Sequence, residues 1–322
     1  MSQFIIRRLL ISVPVLLGIT FIAFAALSLA PGDPLLARLD PSVLAQQSPE
    51  WIEEKRRELG LDQPVPVRYL RWLEGLLRGD LGFSIVTRRS ISEELAVRLP
   101  VTLQLMGTAL LIGLFLGIPF GVISAIKQYS KLDYVLTGFT MTMISTPTFF
   151  LGLLAIYVFG VYLRVLPTSG MATLGGVPSL ADSLSHLVLP AGILGLANAA
   201  QLMRYTRASM LEVLRREYVV TARAKGLADP AVFLRHALRN ALVPIISILG
   251  LLLPELVVGA IVTEQIFAWP GMGRLMVNAI LSRDFPVVQG TAIIYLISFI
   301  TVNFLVDVAY TIIDEKIGAR LN

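Results

Sequence analysis

Residues 101–126 read VTLQLMGTALLIGLFLGIPFGVISAI, a run without a single charged side chain. A helix that crosses a membrane needs about 20 consecutive, predominantly apolar residues. The run therefore predicts a transmembrane helix. Within it Gly113, Gly117 and Gly121 recur at every fourth residue, which places them on one helix face. Such a face allows the backbone of a second helix to approach closely, so this helix is expected to pack tightly along it.

Five further apolar runs flank this one, at 9–30, 134–163, 187–203, 242–267 and 287–313. The chain of 322 residues is 55% hydrophobic and only 15% charged, with a mean hydropathy of +0.75, which is far more apolar than a soluble domain requires. We therefore predict an all-α polytopic membrane protein with six transmembrane helices. Pro119, Pro147 and Pro254 fall inside runs and predict local kinks. The first run is too long for a signal peptide, so we expect it to be retained.

The basic residues predict the orientation of the spans. Eight Lys and Arg residues lie between Arg204 and Arg239, between the fourth and fifth runs. Short loops that carry Lys and Arg remain in the cytoplasm, which predicts that both termini are cytoplasmic. The net charge of +5 then reflects topology, and nucleic-acid binding is not needed to explain it. There is no cysteine for disulfides or thiolate metal sites, and the isolated His186 and His236 favour structural roles over metal binding.

The segment 31–99 between the first two runs carries helix signals. A first helix is expected to start at Ser48-Pro49 and to end at Gly60, and a second to start at Pro66 and to end at Gly79. A third is expected to start at Ser90 with Glu93 and to lead to Pro100. We interpret this segment as a small helical cap outside the membrane; the alternative is an amphipathic segment lying on the lipid surface. The chain then divides into residues 1–99, the first span with its external helical segment, and 100–322, with the other five spans.

Polar side chains inside the spans leave two interpretations open, since they either join helices or line a path for a polar solute. The candidates for a translocation path are Thr140, Ser145, Thr148, Asn198, Gln201 and Glu255. Glu255 fits a contact to the ammonium group of a substrate, but a structural role, in which it is protonated or bonded to a neighbouring helix, is slightly favoured. Glu264, near the outer end of its run, is expected to face protein or water. A structural ion pair is predicted between Arg204 or Arg207 and Asp307.

Residues 209–241 predict a helical corner in the cytoplasm. Apolar residues recur at helical spacing up to Arg223 and Lys225, which suit the negative end of a helix dipole. Gly226 then fits a left-handed residue that ends the helix, while Asp229 and Pro230 fit the start of the next one. A rigid helix–break–helix facing the cytosol has the shape of a docking surface for another protein.

Two stretches of this corner, EYVVTARAKGL at 217–227 and LRHALRNALVP at 234–244, resemble the cytoplasmic loop of permease subunits of ABC importers. Within these importers, the resemblance is to the B-type permease of the dipeptide, oligopeptide and nickel group. Similar stretches elsewhere are LAPGDP (29–34), LGLDQP (59–64), GDLGFS (79–84), RYTRASMLEVL (204–214) and VTEQIFAWPGMGRL (262–275). The sequence departs from the general motif at Val220 and Thr221, where Glu and Ala are usual, and at Arg239, where a proline is usual.

The resemblance implies a type-I ABC importer permease fold in the cytoplasmic membrane of a bacterium or archaeon. The implied loop that couples to the ATPases comprises Glu217, Thr221, Ala222, Arg223, Ala224, Lys225, Gly226, Leu227, Asp229, Pro230, Arg235 and His236. The implied partners are a second, homologous permease, two cytosolic ATPases that bind the ATP, and an extracytoplasmic substrate-binding protein that delivers solute against 31–99 and the loop 269–274. No cofactor or metal is expected on this chain itself.

The implied activity is ATP-driven import of dipeptides or oligopeptides through a pore-forming, non-catalytic subunit. The sequence contains no Gly-Lys pair and hence no Walker A loop. Nickel chelates, glutathione-like peptides and certain sugars are alternative solutes. Two other classes compete: an ion-coupled secondary transporter would use Glu255 and Asp307 as relays, and an intramembrane hydrolase would need a nucleophile and a base inside the bundle.

Overall fold

A computed structural model describes residues 2–29, 47–58, 60–173, 175, 179–225, 232–233, 238, 241, 249–250, 253 and 261–313. The long elements within these ranges are helices. They are α1 (Ser2–Leu29), α2 (Pro49–Glu58), α3 (Val65–Leu77), α4 (Ile91–Ile126), α5 (Lys131–Ser145), α6 (Thr148–Ala155) with a π-helical continuation Ile156–Tyr162, α7 (Leu180–Leu214), α8 (Glu217–Ala224), α9 (Ile261–Ile266), α10 (Met272–Leu281) and α11 (Phe285–Ile313).

Three of these helices, α4, α7 and α11, are individually long and apolar enough to cross a membrane, and α5 with α6 adds a fourth crossing if the bent pair forms one span. In α1 the apolar part is Leu10–Ala26. Most of the predicted fifth span, 242–267, lies outside the described residues. The prediction of an all-α polytopic membrane protein is confirmed. The chain forms two compact units, one comprising 1–100 with 275–322 and the other 101–274.

In the unit 101–274, α4 packs on α7 through the predicted glycine stripe. A Cβ atom on Gly113 would lie 2.7 Å from the Cβ of Asn198, and one on Gly121 would lie 2.6 Å from the Cβ of Thr206. Gly195 makes the reciprocal approach to Ile112 of α4. Residues later in α4 contact residues later in α7, so the two helices run in the same direction. The connection between them must therefore return across the unit.

That return is made by a broken helix. α5 begins beside the C-terminal part of α7, where Asp133 contacts Arg207, and the α6 residue Ala155 packs on Leu189 near the N-terminal end of α7. The predicted span at 134–163 thus runs antiparallel to α7, but it bends by 102° at the break between α5 and α6. Thr146 adopts an extended conformation there because the following Pro147 disfavours helical geometry for the residue before it. The predicted kink at Pro147 is confirmed.

α4 is longer than the sequence predicts. The helix that starts after Ser90 was expected to lead into Pro100 and a separate span, but Ile91–Ile126 forms one helix of 36 residues that includes Pro100 and Pro119. A proline removes one helical hydrogen bond, and long helices of membrane proteins tolerate that loss when neighbouring groups satisfy the freed carbonyl. At about 1.5 Å per residue the helix exceeds the hydrocarbon thickness of about 30 Å, so part of it extends beyond the bilayer.

The predicted starts and stops of the first two helices after α1 are confirmed. Ser48 caps α2, because its Oγ accepts from the backbone N–H of Trp51. The pKa of the neighbouring Glu50 carboxyl lies below its ordinary value, owing to its own backbone N–H and then to the Ser48 hydroxyl. Gly60 ends α2 at φ +64°, where the N–H groups of Gly60 and Leu61 return to the last helical turn. Gly79, at φ +81°, ends α3 in the same way.

In the unit formed by 1–100 and 275–322, the segment between α1 and α4 is tied down at two places. Tyr69 of α3 is buried against α1, its ring edge-on to Phe21 and Phe24. The loop after α3 is held by Asp284, which is 3% exposed and accepts hydrogen bonds from the Ser84 hydroxyl at 2.5 Å and from the backbone N–H of Ile85 at 3.1 Å. These contacts attach α3 and the loop after it to the rest of the same unit.

Tyr69→Phe tests the first attachment. The Tyr69 hydroxyl lies 2.8 Å from the Thr20 hydroxyl and donates to the carbonyl of Leu17 at 3.1 Å, whereas the ring contacts do not need it. We expect the variant to lose about 1 kcal/mol of stability, since a buried hydrogen bond is removed without a large cavity. Thermal unfolding of the purified protein in detergent measures the loss. Tyr162→Phe, at an exposed tyrosine, is the control and should unfold like the wild type.

Candidate coupling site

The helix α8 carries the first half of the predicted cytoplasmic corner. α7 ends at Leu214, and only Arg215 and Arg216 separate it from α8, which starts at Glu217. Val219 and Ala222 are buried against Val232 and against the last turn of α7. This anchoring fixes which side of α8 faces outward.

The outward side of α8 presents Tyr218, Thr221 and Ala224, which are exposed, as is Lys225 just after the helix. The Thr221 hydroxyl donates to the carbonyl of Glu217 within the helix, so it is already satisfied. The exposed side of α8 is therefore a short helix surface that carries both polar and apolar side chains and is fixed by the buried side. Such a surface suits docking of another protein rather than catalysis. The remaining predicted coupling residues, Gly226, Leu227, Asp229, Pro230, Arg235 and His236, lie outside the described residues, as does the side chain of Arg223.

The C-terminal part of α7 forms a stem beneath α8. Met210, which is fully buried, packs with Val122 and Ala125 at the end of α4 and with Ala241. The Ser209 hydroxyl donates to the carbonyl of Ala241 at 3.1 Å. Ala241, the last residue of the predicted corner, is thus fixed on α7 as well, so α8 and Ala241 both pack on this stem.

One turn above this contact, Asp133 of α5 and Arg207 of α7 form a bidentate ion pair. The guanidinium Nε and Nη2 each donate to a carboxylate oxygen at 2.8 Å, and Nε also donates to the Ser124 hydroxyl of α4 at 3.1 Å. Asp133 further accepts from the Ser124 hydroxyl and from the backbone N–H of Tyr129 at 2.9 Å. We call Ser124, Asp133 and Arg207 together the α5–α7 clasp.

The clasp was not predicted from the sequence, which suggested Asp307 as the partner of Arg204 or Arg207. Arg207 instead binds Asp133, and Arg204 is exposed with its guanidinium 5.0 Å from the ring centre of Tyr205. The side chain of Asp307 lies outside the described residues. The sequence does place a carboxylate, Asp133, three residues after the helix cap Ser130. A carboxylate at that position ordinarily only stabilises the N-terminus of its own helix, so it did not indicate an ion pair with a distant arginine.

A second buried carboxylate, Glu264, organises the opposite part of the same unit. It is fully buried and accepts from the Thr102 hydroxyl at 2.7 Å and from the backbone N–H of Arg274 at 3.0 Å. The same Thr102 oxygen accepts from the N–H of Met272 at 2.8 Å. The expectation that Glu264 faces protein is confirmed.

The loop held by Glu264 is itself mostly buried. Trp269 is fully buried and its indole N–H donates to the carbonyl of Val101 at 3.1 Å, and Met272 is fully buried too. Ala268 takes a positive φ of 49°, and Arg274 Nη1 donates to its carbonyl at 2.6 Å. The residues of the loop 269–274 are buried or half-buried, and its predicted contact with a binding protein stays a prediction.

The predicted translocation residues have different surroundings in the described part of the chain. Thr140 is buried in the packing of α5 on α7, where its hydroxyl lies 3.2 Å from the sulfur of Met203. Asn198 packs on Gly113. Ser145 and Gln201 are exposed, Thr148 is half-buried, and Glu255 lies outside the described residues. Thr140 and Asn198 act here as contacts between helices, and a path lined by the six residues stays a prediction.

The helices define a polytopic membrane protein, and comparison with known proteins gives its family. Residues 117–319 match the model of the binding-protein-dependent transport system inner membrane component, and residues 1–106 match that of the N-terminal part of such membrane components. The chain belongs to this family of permease subunits of binding-protein-dependent importers.

Relatives similar over the whole chain carry peptide-transport names. The oligopeptide transport system permease protein AppB of Bacillus subtilis is 42% identical over 318 residues, covering 98% of this chain and 99% of AppB. The dipeptide transport system permease protein DppB of Escherichia coli K12 is 38% identical over 338 residues, with the same coverage. A crystal structure of an amino acid ABC transporter with histidines shares the fold at a TM-score of 0.51 and 16% identity, covering 68% of this chain and 94% of that one.

Proposed function

We propose that this chain imports dipeptides or oligopeptides as one of two permease subunits in a complex with two cytosolic ATPases and an extracytoplasmic binding protein. The observation that carries the proposal is how α8 packs. One side of α8 is buried against the C-terminal part of α7, and the other side, with Tyr218 and Thr221, is exposed. The whole-chain similarity to an oligopeptide and a dipeptide permease supports the solute class.

In this proposal ATP binds to the partner subunits, and their closure displaces α8. α8 transmits the displacement to α7 because Val219 and Ala222 pack on its last turn. The two permeases then alternate between outward-facing and inward-facing states, an equilibrium that nucleotide biases. Both termini lie in the cytoplasm of a bacterial or archaeal cell, the orientation that the basic residues around the corner favour.

Purification from the native host in mild detergent, followed by mass spectrometry, tests the composition of the complex. We expect two ATPases and a second permease in stoichiometric amounts. The complex is then reconstituted in vesicles with α8 facing the lumen and with the binding protein outside. Labelled alanyl-alanine or penta-alanine should accumulate in the lumen only when the lumen contains ATP. A pure homo-oligomer with ion-driven uptake would contradict the proposal and favour a secondary transporter.

Ala224→Trp tests the outward side of α8. The position is exposed, so a bulky side chain should leave the fold of this chain intact while preventing close seating of a docked ATPase. We expect ATPase co-purification and ATP-driven uptake to fall by roughly tenfold or more, the equivalent of about 1.4 kcal/mol of binding energy. Lys127→Trp places the same side chain at an exposed position of the turn between α4 and α5 and is the matched control. Equal loss in both variants would argue against docking at α8.

A further inference from the structure

We propose that the α5–α7 clasp is the rigid connection through which movement of α8 reaches the broken helix α5–α6. This inference rests on the proposed function, since it assigns a path for the force that the ATPases apply. Asp133 and Arg207 are positioning residues in this scheme and need not touch solute or nucleotide.

The geometry of the clasp fixes orientation as well as distance. Two parallel N–H···O bonds of 2.8 Å join one planar group to the other, and a bidentate pair of this kind resists both sliding and rotation. The side chain of Asp133 is 3% exposed, so water competes little for its oxygens. Ser124 of α4 bonds both partners. Three helices therefore meet at one carboxylate.

The position of the clasp lies between the part that receives the force and the part that can move. Arg207 stands two helical turns before Leu214, on which the buried side of α8 packs. A continuous helix over these turns carries a displacement of α8 to Arg207. Asp133 sits in the first turn of α5, at the opposite end of that helix from the break at Pro147. Pulling on Asp133 thus swings α5 about the break.

A second described contact between α5 and α7 fixes less. Thr140 contacts Met203 through a flexible thioether, and apolar side chains on both helices can slide past one another. A buried ion pair is in general weak evidence for stability, because desolvation offsets most of the attraction. What this pair supplies is a single geometry between two helices, which is the property a transmission element needs.

The absence of cysteine from the chain makes a direct test possible. Asp133→Cys and Arg207→Cys are combined in one chain, which is purified with its ATPases and reconstituted with its binding protein. Without a cross-link we expect basal ATP hydrolysis to continue while ATP-driven uptake of alanyl-alanine falls roughly ten- to a hundredfold, the range of ordinary coupling energies. A short bis-methanethiosulfonate linker then joins the two thiols in the folded complex, and reductant removes it.

Linking is expected to restore most of the uptake, and reduction to abolish it again, on the same purified molecules. A residue needed only for folding does not give such reversible recovery after folding is complete. Each single cysteine variant treated with the linker is a control for labelling. Asp133→Asn and Arg207→Lys, which keep most of the volume, should hydrolyse ATP with impaired uptake, whereas Arg204→Gln, at an exposed arginine of the same helix, should transport normally.

Uptake that is unaffected in the open double variant, or not restored by the linker, would overturn the role of the clasp. Both results leave the proposed function standing as long as the wild-type complex couples uptake to ATP. If the wild-type complex itself fails to couple, the proposed function fails and the clasp inference with it. The two failures are therefore distinguishable in one set of measurements.

Discussion

Gly117→Leu is expected to prevent recovery of folded protein. A Cβ atom at this position would lie 2.7 Å from the carbonyl oxygen of Ala199 and 2.7 Å from the Cβ of Leu202, both on α7. Neither neighbour can rotate away, because one is backbone and the other is bonded directly to it. The two helices would have to separate along the whole glycine stripe. Overpacking of even a few atoms destabilises by about 1 to 3 kcal/mol, and leucine adds a full side chain.

Leucine also isolates the steric effect from membrane insertion. It is among the most favourable residues in a transmembrane helix, so Gly117→Leu should insert at least as well as the wild type. Gly107→Leu adds the same side chain to the same helix at a place where no heavy atom lies within 4 Å of the new Cβ. The monodisperse fraction after detergent extraction should collapse for Gly117→Leu and persist for Gly107→Leu. Equal recovery would mean that the stripe does not hold α4 against α7.

The sequence predicts this stripe because its signal is local. Gly113, Gly117 and Gly121 are four residues apart, and the period of the helix alone places them on one face. Helix caps such as Ser48 and Gly60 follow from similarly short-range rules. Family membership was also predictable, since the motifs extend along the whole chain, whereas the coupling role of the corner stays a prediction.

The contacts between distant segments were not predictable. Asp133 and Arg207 are 74 residues apart, and their meeting depends on the register of two helices across a broken span. From the sequence, Asp307 was predicted as the partner of the arginine, and Asp133 was missed. Pro147 indicated a kink, but the 102° bend depends on how α5 and α6 each pack on α7. Thr102, the partner of Glu264, lies 162 residues away and carried no signal of its own.

Glu264→Ala is expected to release the loop 267–274 and lower stability by about 3 kcal/mol or more. The change removes the acceptor for the Thr102 hydroxyl and for the backbone N–H of Arg274, and it empties space beside Gly271 and Gly273. A buried donor without a partner costs about 1 to 3 kcal/mol, and the cavity adds to that. Gln265→Ala, at the exposed neighbouring residue, should change little.

Trp269 reports the release directly. It is one of three tryptophans, so replacing Trp51 and Trp72 by phenylalanine leaves its emission as the only indole signal. Because Trp269 is fully buried, its emission should be shielded from acrylamide in the wild type and become quenchable with a red shift in Glu264→Ala. Glu264→Gln keeps the volume and one acceptor, so Trp269 should stay shielded with about half the loss of stability.

Thr102→Val combined with Glu264→Ala should destabilise less than the sum of the two, because both changes remove the same hydrogen bond. An unchanged Trp269 signal in Glu264→Ala would show that the loop is held without this carboxylate, and strict additivity would show that Thr102 and Glu264 are not coupled.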